Sequence, residues 1–289
     1  MIDLHCHSTA SDGSLSPAGL LEAAAKLSLK ALALTDHDTL DGISDFRQAG
    51  QGHSVEPIAG IELAACEADD SNRSYHIVGL FLDGDSSRMK SLLSEVIQWR
   101  NERNLKMVAT LNRLGYALSL EEVLAQCEGA VLGRPHIAAA LVSGGYVKDS
   151  QAAFDRLLAS GKPAYVRRQL PTPEAAIAAI HSMGGVAIWA HPFTRGHYTN
   201  LQMRRIAVEL KDRGLDGVEA YYPLHTPTQV RTALQMARDF ELLVSGGSDF
   251  HGSRFKKIDL GVGYGNLKVP DELLEPLRAA AMAYRRRQA

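Results

Sequence analysis

The chain has 289 residues, 45% apolar and 22% charged, the composition of a globular protein rather than a disordered or collagen-like one. Its 31 lysines and arginines against 33 aspartates and glutamates give a formal charge of -2, so bulk attraction does not hold it to duplex nucleic acid. No apolar run approaches the roughly 18 residues of a membrane span, the N-terminus lacks the basic and apolar regions of a signal peptide, and three scattered cysteines (Cys6, Cys66, Cys127) fit a reducing cytoplasm.

In chain order, Ile2–Leu4 is predicted as a short first strand. Ser16 offers an N-cap, Pro17 takes the first helical position, and Leu20, Leu21, Ala24 and Leu27 follow at helical spacing. Ala31–Leu34 is a fully apolar run, as a strand buried on both faces would be. Val55–Leu63 and Tyr75–Leu82 are further strand segments. Later, Thr172-Pro173 opens a helix that stops at Gly184-Gly185, and Val186–Ala190 is a strand. Leu201–Arg213 reads as a helix, Gly217–Ala220 as a strand, Thr226-Pro227 as a helix start and Leu242–Ser245 as a strand. Pro270-Asp271 opens the last helix. This alternation argues for an α/β fold, a parallel sheet or a barrel, with about seven strands where a closed barrel usually has eight.

The middle breaks the alternation. Met89, Leu92, Val96 and Trp99 repeat at helical spacing, and Val108 and Leu111 continue it to Gly115. Ser119-x-x-Glu122 matches a capping box, Arg134-Pro135-His136 begins another helix, and Ala152–Leu158 is a fourth. The expected division is barrel over 1–100, helical insertion over 101–165 and barrel again over 166–289. Insertions in α/β barrels commonly lie over the C-terminal mouth, and that is the expected place of this one.

Histidine is the unusual residue, at 11. The first strand runs into His5-Cys6-His7. Side chains two apart share a strand face, roughly 6–7 Å from each other, so both imidazoles can reach one ion while Cys6 points away. Asp12 follows on a loop. The second strand runs into Asp36-His37-Asp38, the third carries Glu62, the fourth His76 and the fifth runs into His191-Pro192. The sixth carries Glu219, and Asp249-Phe250-His251 follows the seventh. In a parallel barrel the C-terminal strand ends converge on one mouth. Imidazoles and carboxylates without paired cysteines suit zinc, manganese or iron. They are too many for one ion, which implies two or three, as in many phosphate-ester hydrolases. His76 is the misfit, at the start of its run. Sharing the mouth with Glu62 would require a local antiparallel pair.

These motifs resemble those of the PHP (polymerase and histidinol phosphatase) family of metal phosphoesterases. Asp3-Leu4-His5-Cys6-His7-Ser8 with Ser11-Asp12-Gly13 is similar to its first motif, and Thr35-Asp36-His37-Asp38 to its second. Gly60-Ile61-Glu62 with Tyr75-His76-Ile77-Val78-Gly79 is similar to its third region, and Ala190-His191-Pro192 and Gly247-Ser248-Asp249-Phe250-His251 to its last ones. The resemblance implies a distorted (β/α)7 barrel and a trinuclear site. One metal would take His5, His7, Glu62 and Asp249. A second would share Glu62 and add His76 and His191. A third would take Asp12, His37 and His251. Manganese is the expected ion, with iron and zinc also suited. The segment Gly133-Arg134-Pro135-His136-Ile137-Ala138 resembles the nucleotide-acting branch of the family, which includes 3′,5′-nucleoside bisphosphate phosphatases and 5′→3′ exoribonucleases.

The expected chemistry is attack on phosphorus by a metal-bridging hydroxide, made available by metals that lower the pKa of water. Glu62 and Asp249 would fix the metals, and His251 or the third metal would stabilise the departing alkoxide. The reaction expected first is loss of the 3′-phosphate from a nucleoside 3′,5′-bisphosphate. Trimming of short 5′-phosphorylated RNA, a histidinol-phosphate-type phosphatase and a non-catalytic metal-stabilised module are the alternatives. The expected partner is thus a small nucleotide or a short RNA 5′ end, not a duplex or a membrane. Arg134 and Lys162, with His136, would hold the phosphate that is not cleaved. Arg195 and His197 would hold the cleaved one, and Tyr222 at the mouth could stack a base. Asp36 or Asp38 is expected to orient a ligand imidazole, with Glu219 in a similar supporting role.

Overall fold

The computed structural model describes residues 1–68, 70, 73–127, 132–194, 198–254 and 257–288. The chain forms two compact units, Met1–Leu92 with Pro171–Ala289, and Leu93–Leu170.

The first unit is built on seven strands, β1 (Asp3–Cys6), β2 (Ala31–Leu34), β3 (Glu56–Cys66), β4 (Ser74–Leu80), β5 (Val186–Trp189), β6 (Gly217–Tyr221) and β7 (Leu243–Gly246). They lie side by side in sequence order. The sheet curls until the two ends meet: Cys6 bridges Phe250, His7 N–H donates to the Phe250 carbonyl at 2.9 Å, and Asp249 N–H donates to the His5 carbonyl at 2.8 Å. The result is a distorted seven-stranded α/β barrel.

β2 shows why so short a segment holds its place. Ala31 and Ala33 join Ile2, Leu4, Ile58, Val78 and Ile188 in one buried cluster. Leu32 and Leu34 face the other way, onto Leu20 and Leu21 of α1 (Pro17–Lys26) and Phe46 of α2 (Ile43–Ala49). Both faces are apolar because both are covered. α1 starts as its sequence requires, with Ser16 Oγ accepting from Gly19 N–H at 3.1 Å. α2 gives no such signal: Gly42 precedes it without a side-chain cap, and Phe46 is its one buried residue. A helix this short does not hold itself. Burial of Phe46, worth about 1.5–3 kcal/mol, anchors it.

One strand runs against the others. β4 is antiparallel to both β3 and β5, while the remaining pairs are parallel. The start of β4 therefore lies at the same mouth as the ends of its neighbours. Ala64 pairs with His76 and Glu62 with Val78, so Glu62 and His76 are diagonal neighbours on one face.

In the second unit, α3 (Ser87–Arg113) spans the boundary, which falls at Leu93. α4 (Leu120–Leu124), α5 (Arg134–Ser143) and α6 (Ser150–Ala153) follow, with a π turn over Phe154–Leu158. Met107, Leu111, Ile137, Leu141, Leu157 and Leu158 are among its core residues. The capping box of α4 is present: Ser119 N–H donates to Glu122 at 2.7 Å and Glu122 N–H to Ser119 Oγ at 3.1 Å. Four helices of the first unit complete the described chain, α7 (Pro173–His181), α8 (Asn200–Asp212), α9 (Pro227–Asp239) and α10 (Leu274–Gln288). Leu274, Leu277 and Ala281 of α10 pack into the barrel cluster. Among the described residues no helix is long and apolar enough to cross a membrane.

Candidate metal centre

A bulge in β1 sets the first candidate ligands. Asp3 pairs with Leu32 and Cys6 with Leu34, so β1 takes three steps to its neighbour's two. The extra residue re-phases the strand, as bulges beside active sites do. Cys6 packs outward with Leu32 and Leu34. His5 and His7 turn together, their ring centroids 5.3 Å apart.

Glu62 lies at the centre. Its Oε1 is 2.5 Å from His76 Nδ1 and 3.0 Å from His191 Nε2. Its Oε2 is 2.8 Å from His37 Nδ1, 3.4 Å from His7 Nε2 and 3.5 Å from His5 Nε2. Asp249 Oδ1 lies 3.1 Å from His7 Nε2 and 3.5 Å from His5 Nε2. Asp12 stands 3.3 Å from His251 Nε2 and 3.9 Å from His37 Nε2.

Three sets of donor atoms each fit within 4.8 Å: His5, His7, Glu62 and Asp249; His7, Asp12, His37 and His251; and His37, Glu62 and His76. The grouping differs in detail from the one the resemblance implies. His7 also stands with the Asp12 set, and His37 with Glu62 and His76. His191 reaches the cluster through Glu62.

The donors fit cations. His5 Nε2, both ring nitrogens of His7, Glu62 Oε2 and Asp249 Oδ1 are buried and approach one another and His37 without a hydrogen bond of good geometry. Buried polar atoms are nearly always paired, and imidazole nitrogens set among carboxylate oxygens are what borderline divalent metals bind.

Electrostatics point the same way. Burial alone would raise Glu62, but the charges of His76, His37 and His5 hold it well below the usual carboxylate range. Asp249 is likewise held low against its burial by His5 and His7. Burial and the charge of His37 push His7 down to about 4. His37, despite its burial, is raised to about 9 by Glu62 and Asp12.

Supporting contacts fix the ligands. Glu219 Oε1 lies 3.0 Å from His5 Nδ1, and its Oε2 accepts the His191 N–H at 2.7 Å. Of the pair Asp36 and Asp38, Asp36 is committed elsewhere: it accepts from Ser8 N–H at 2.8 Å, Ser8 Oγ at 2.6 Å and Ser11 Oγ at 2.5 Å, and so shapes the loop that bears Asp12. Tyr222 is buried, and its hydroxyl donates to Asp249 Oδ2 at 2.9 Å. His225 lies buried with its ring 5.1 Å from that of Tyr222. Asp3 was not marked by its sequence beyond its place in a motif. It accepts from Ser248 Oγ at 2.5 Å and Ser248 N–H at 2.9 Å, and so positions the turn before Asp249. That turn is tight. Asp249 has φ 55°, and a Cβ on Gly247 would come within 2.4 Å of the His5 backbone, so only glycine fits.

The cluster opens into a cavity of about 570 Å³ whose lining also includes Thr194, Tyr222, Leu224, Ile258 and Tyr264. A hollow of about 640 Å³ elsewhere, beside Ile43, Arg47 and Met183, has no histidine or carboxylate among the described residues of its lining. In the second unit, Arg134 begins α5 with its guanidinium 5.7 Å from the Phe154 ring and 5.9 Å from the Tyr165 ring. His136 Nδ1 accepts from Gly133 N–H at 3.0 Å, and Lys162 is exposed. Arg195 and His197 lie outside the described residues.

Barrel, strand-end ligands and orphaned donors define a metal-dependent hydrolase. The sequence profile described as PHP domain matches residues 3–163. A 5′-3′ exoribonuclease of Haemophilus influenzae is 37% identical over 86% of this chain and 89% of its own. A 3′,5′-nucleoside bisphosphate phosphatase of Chromobacterium violaceum is 32% identical over 86% of this chain and 87% of its own. An amidohydrolase from Chromobacterium violaceum, solved with bound sulfate and no metal, superposes with a TM-score of 0.77 at 30% identity, covering 96% of each chain. The chain belongs to the PHP domain family of metal-dependent phosphoesterases.

Proposed function

We propose that the protein removes the 3′-phosphate of nucleoside 3′,5′-bisphosphates, giving the nucleoside 5′-phosphate and inorganic phosphate. The position of Glu62 carries the reading. One carboxylate reaches His76 and His191 through Oε1, and His5, His7 and His37 through Oε2. A carboxylate so placed would contribute a donor atom to more than one of the candidate sites. Two or three divalent ions, manganese first, would be held by His5, His7, Glu62 and Asp249, by His76 and His191 sharing Glu62, and by Asp12, His37 and His251. When bound, such ions offset phosphate charge and supply a nucleophilic water near neutral pH. Glu62 and Asp249 fix the donor set, and Tyr222 orients Asp249. His251, 3.3 Å from Asp12, stabilises the departing oxygen.

The phosphate that stays needs its own grip, and Arg134 with Lys162 and His136 supplies it. The second unit supports this electrically. Burial and the like charges of Arg134 and Arg168 hold Arg103 down at about 10, and arginines that repel one another attract an anion. Arg195 and His197 take the phosphate that is cleaved. Three scattered cysteines, not joined in disulfides, fit work in the cytoplasm.

A second reading has its own support. The Haemophilus influenzae relative is a 5′-3′ exoribonuclease, and a short 5′-phosphorylated RNA presents the same 5′-phosphate beside a 3′-phosphoester. One assay tests both. Manganese-loaded protein is given adenosine 3′,5′-bisphosphate, a 5′-phosphorylated trinucleotide and histidinol phosphate in parallel, with products identified by mass and phosphate release. AMP and free phosphate from the first are expected. Cleavage of histidinol phosphate alone would sink the nucleotide reading.

A further inference from the structure

The cavity over the metal centre is not polar throughout. Part of its lining is Leu224, Ile258 and Tyr264, which carry no charge. Leu224 is 53% exposed and Tyr264 47%. Single exposed apolar residues are ordinary. Here they share one cavity with Glu62, His191, Asp249 and the other ligands.

They are also held on stiff backbone. Asp259 and Gly263 exchange two hydrogen bonds of 2.8 Å, and Gly265 N–H donates to Val262 at 2.8 Å. Gly261 N–H donates to the buried Asp3 carboxylate at 2.8 Å. Gly263 has φ 60°, and a Cβ there would come within 2.8 Å of Pro223. Asn266 Nδ2 donates to the Pro223 carbonyl at 3.3 Å. Pro223 directly precedes Leu224, so the same contacts fix the tyrosine's loop against the leucine's. A preformed aromatic surface beside a reaction centre binds a flat ring with little ordering cost.

We propose that Tyr264, with Leu224 and Ile258, is the shelf on which the planar ring of the substrate stacks, and that it selects ring-bearing phosphoesters over ringless ones. The inference rests on the phosphoesterase reading of the site and deepens it. It gives Tyr264 the stacking role that sequence alone would assign to Tyr222, whose ring is buried and whose hydroxyl is committed to Asp249.

Losing an aromatic partner typically weakens base binding about fivefold to a hundredfold. The test compares manganese-loaded wild type, Tyr264→Ala, Tyr264→Phe and Leu224→Ala on adenosine 3′,5′-bisphosphate, p-nitrophenyl phosphate and glycerol 2-phosphate. Tyr264→Ala should raise KM for the two ring-bearing esters at least about fivefold, with kcat and the glycerol 2-phosphate constants near wild type. Tyr264→Phe should match wild type, and Leu224→Ala should shift KM in the same sense by less. Equal KM effects on ringed and ringless esters, or none on either, would overturn the shelf. A Tyr264→Ala effect on p-nitrophenyl phosphate, in an enzyme that never cleaves the bisphosphate, keeps the shelf and removes the nucleotide reading. Bisphosphate turnover indifferent to Tyr264→Ala does the reverse.

Discussion

Glu219 stands behind His5, its Oε1 3.0 Å from the ring Nδ1, which leaves Nε2 turned toward Glu62 and Asp249. Through Oε2 it also holds the backbone N–H of His191 at 2.7 Å. Removing such a partner typically costs about 10–100-fold in metal affinity. Glu219→Ala is therefore expected to weaken metal binding by that order and to regain most activity at high manganese. Titration of the metal-free variant checks this. Unchanged affinity would mean His5 is oriented by something else.

Tyr222→Phe keeps the ring and removes the hydroxyl that Asp249 accepts from at 2.9 Å. A hydrogen bond to a charged group is worth about 1.5–3 kcal/mol, so kcat should fall about tenfold or more while substrate KM changes little. Loss confined to KM would make Tyr222 a substrate contact instead.

Arg134→Ala should raise KM for adenosine 3′,5′-bisphosphate about tenfold or more, the scale of one charge-assisted hydrogen bond. A simple phosphate monoester should hardly notice. Equal effects on the two substrates would remove Arg134 from the second-phosphate site.

The pH behaviour of the metal-free protein follows from two histidines of opposite sign. His37, raised from 6.5 to about 9, contributes stability that is full below 6.5 and lost as the pH rises through 9. His7, lowered from 6.5 to about 4, refuses a proton that the unfolded chain accepts, so stability also falls from 6.5 toward 4. These two place the stability maximum of the metal-free protein near pH 6.5. Metal requires neutral imidazoles, so loading should move the maximum upward and release protons. Melting curves with and without chelator across this range test it. A metal-free melting temperature that climbs steadily from pH 6.5 to 9 would contradict the assignment.

Much of this was legible because it is local. Ala31–Leu34 matches its strand limits since burial on both faces leaves an unbroken apolar run. Ser16, Thr172 and Thr226 marked helix starts because capping needs only a side chain and an N–H three residues on. α2 was missed because a single buried phenylalanine makes no period. The sequence left the choice between Asp36 and Asp38 open because adjacency to His37 says nothing of which way a carboxylate turns. Tyr264 carried no signal, since an aromatic between glycines reads the same on any surface loop.

By itself, then, the sequence determined the candidate donor residues and the strand ends that bear them. Both follow from residue type and short-range periodicity. Tertiary structure decided that Glu62 joins the histidines, that Glu219 backs His5 in particular, and that the start of β4 shares the mouth. Those depend on strand direction and on distances between residues as far apart as His5 and Glu219, 214 positions along the chain, and no local pattern encodes them.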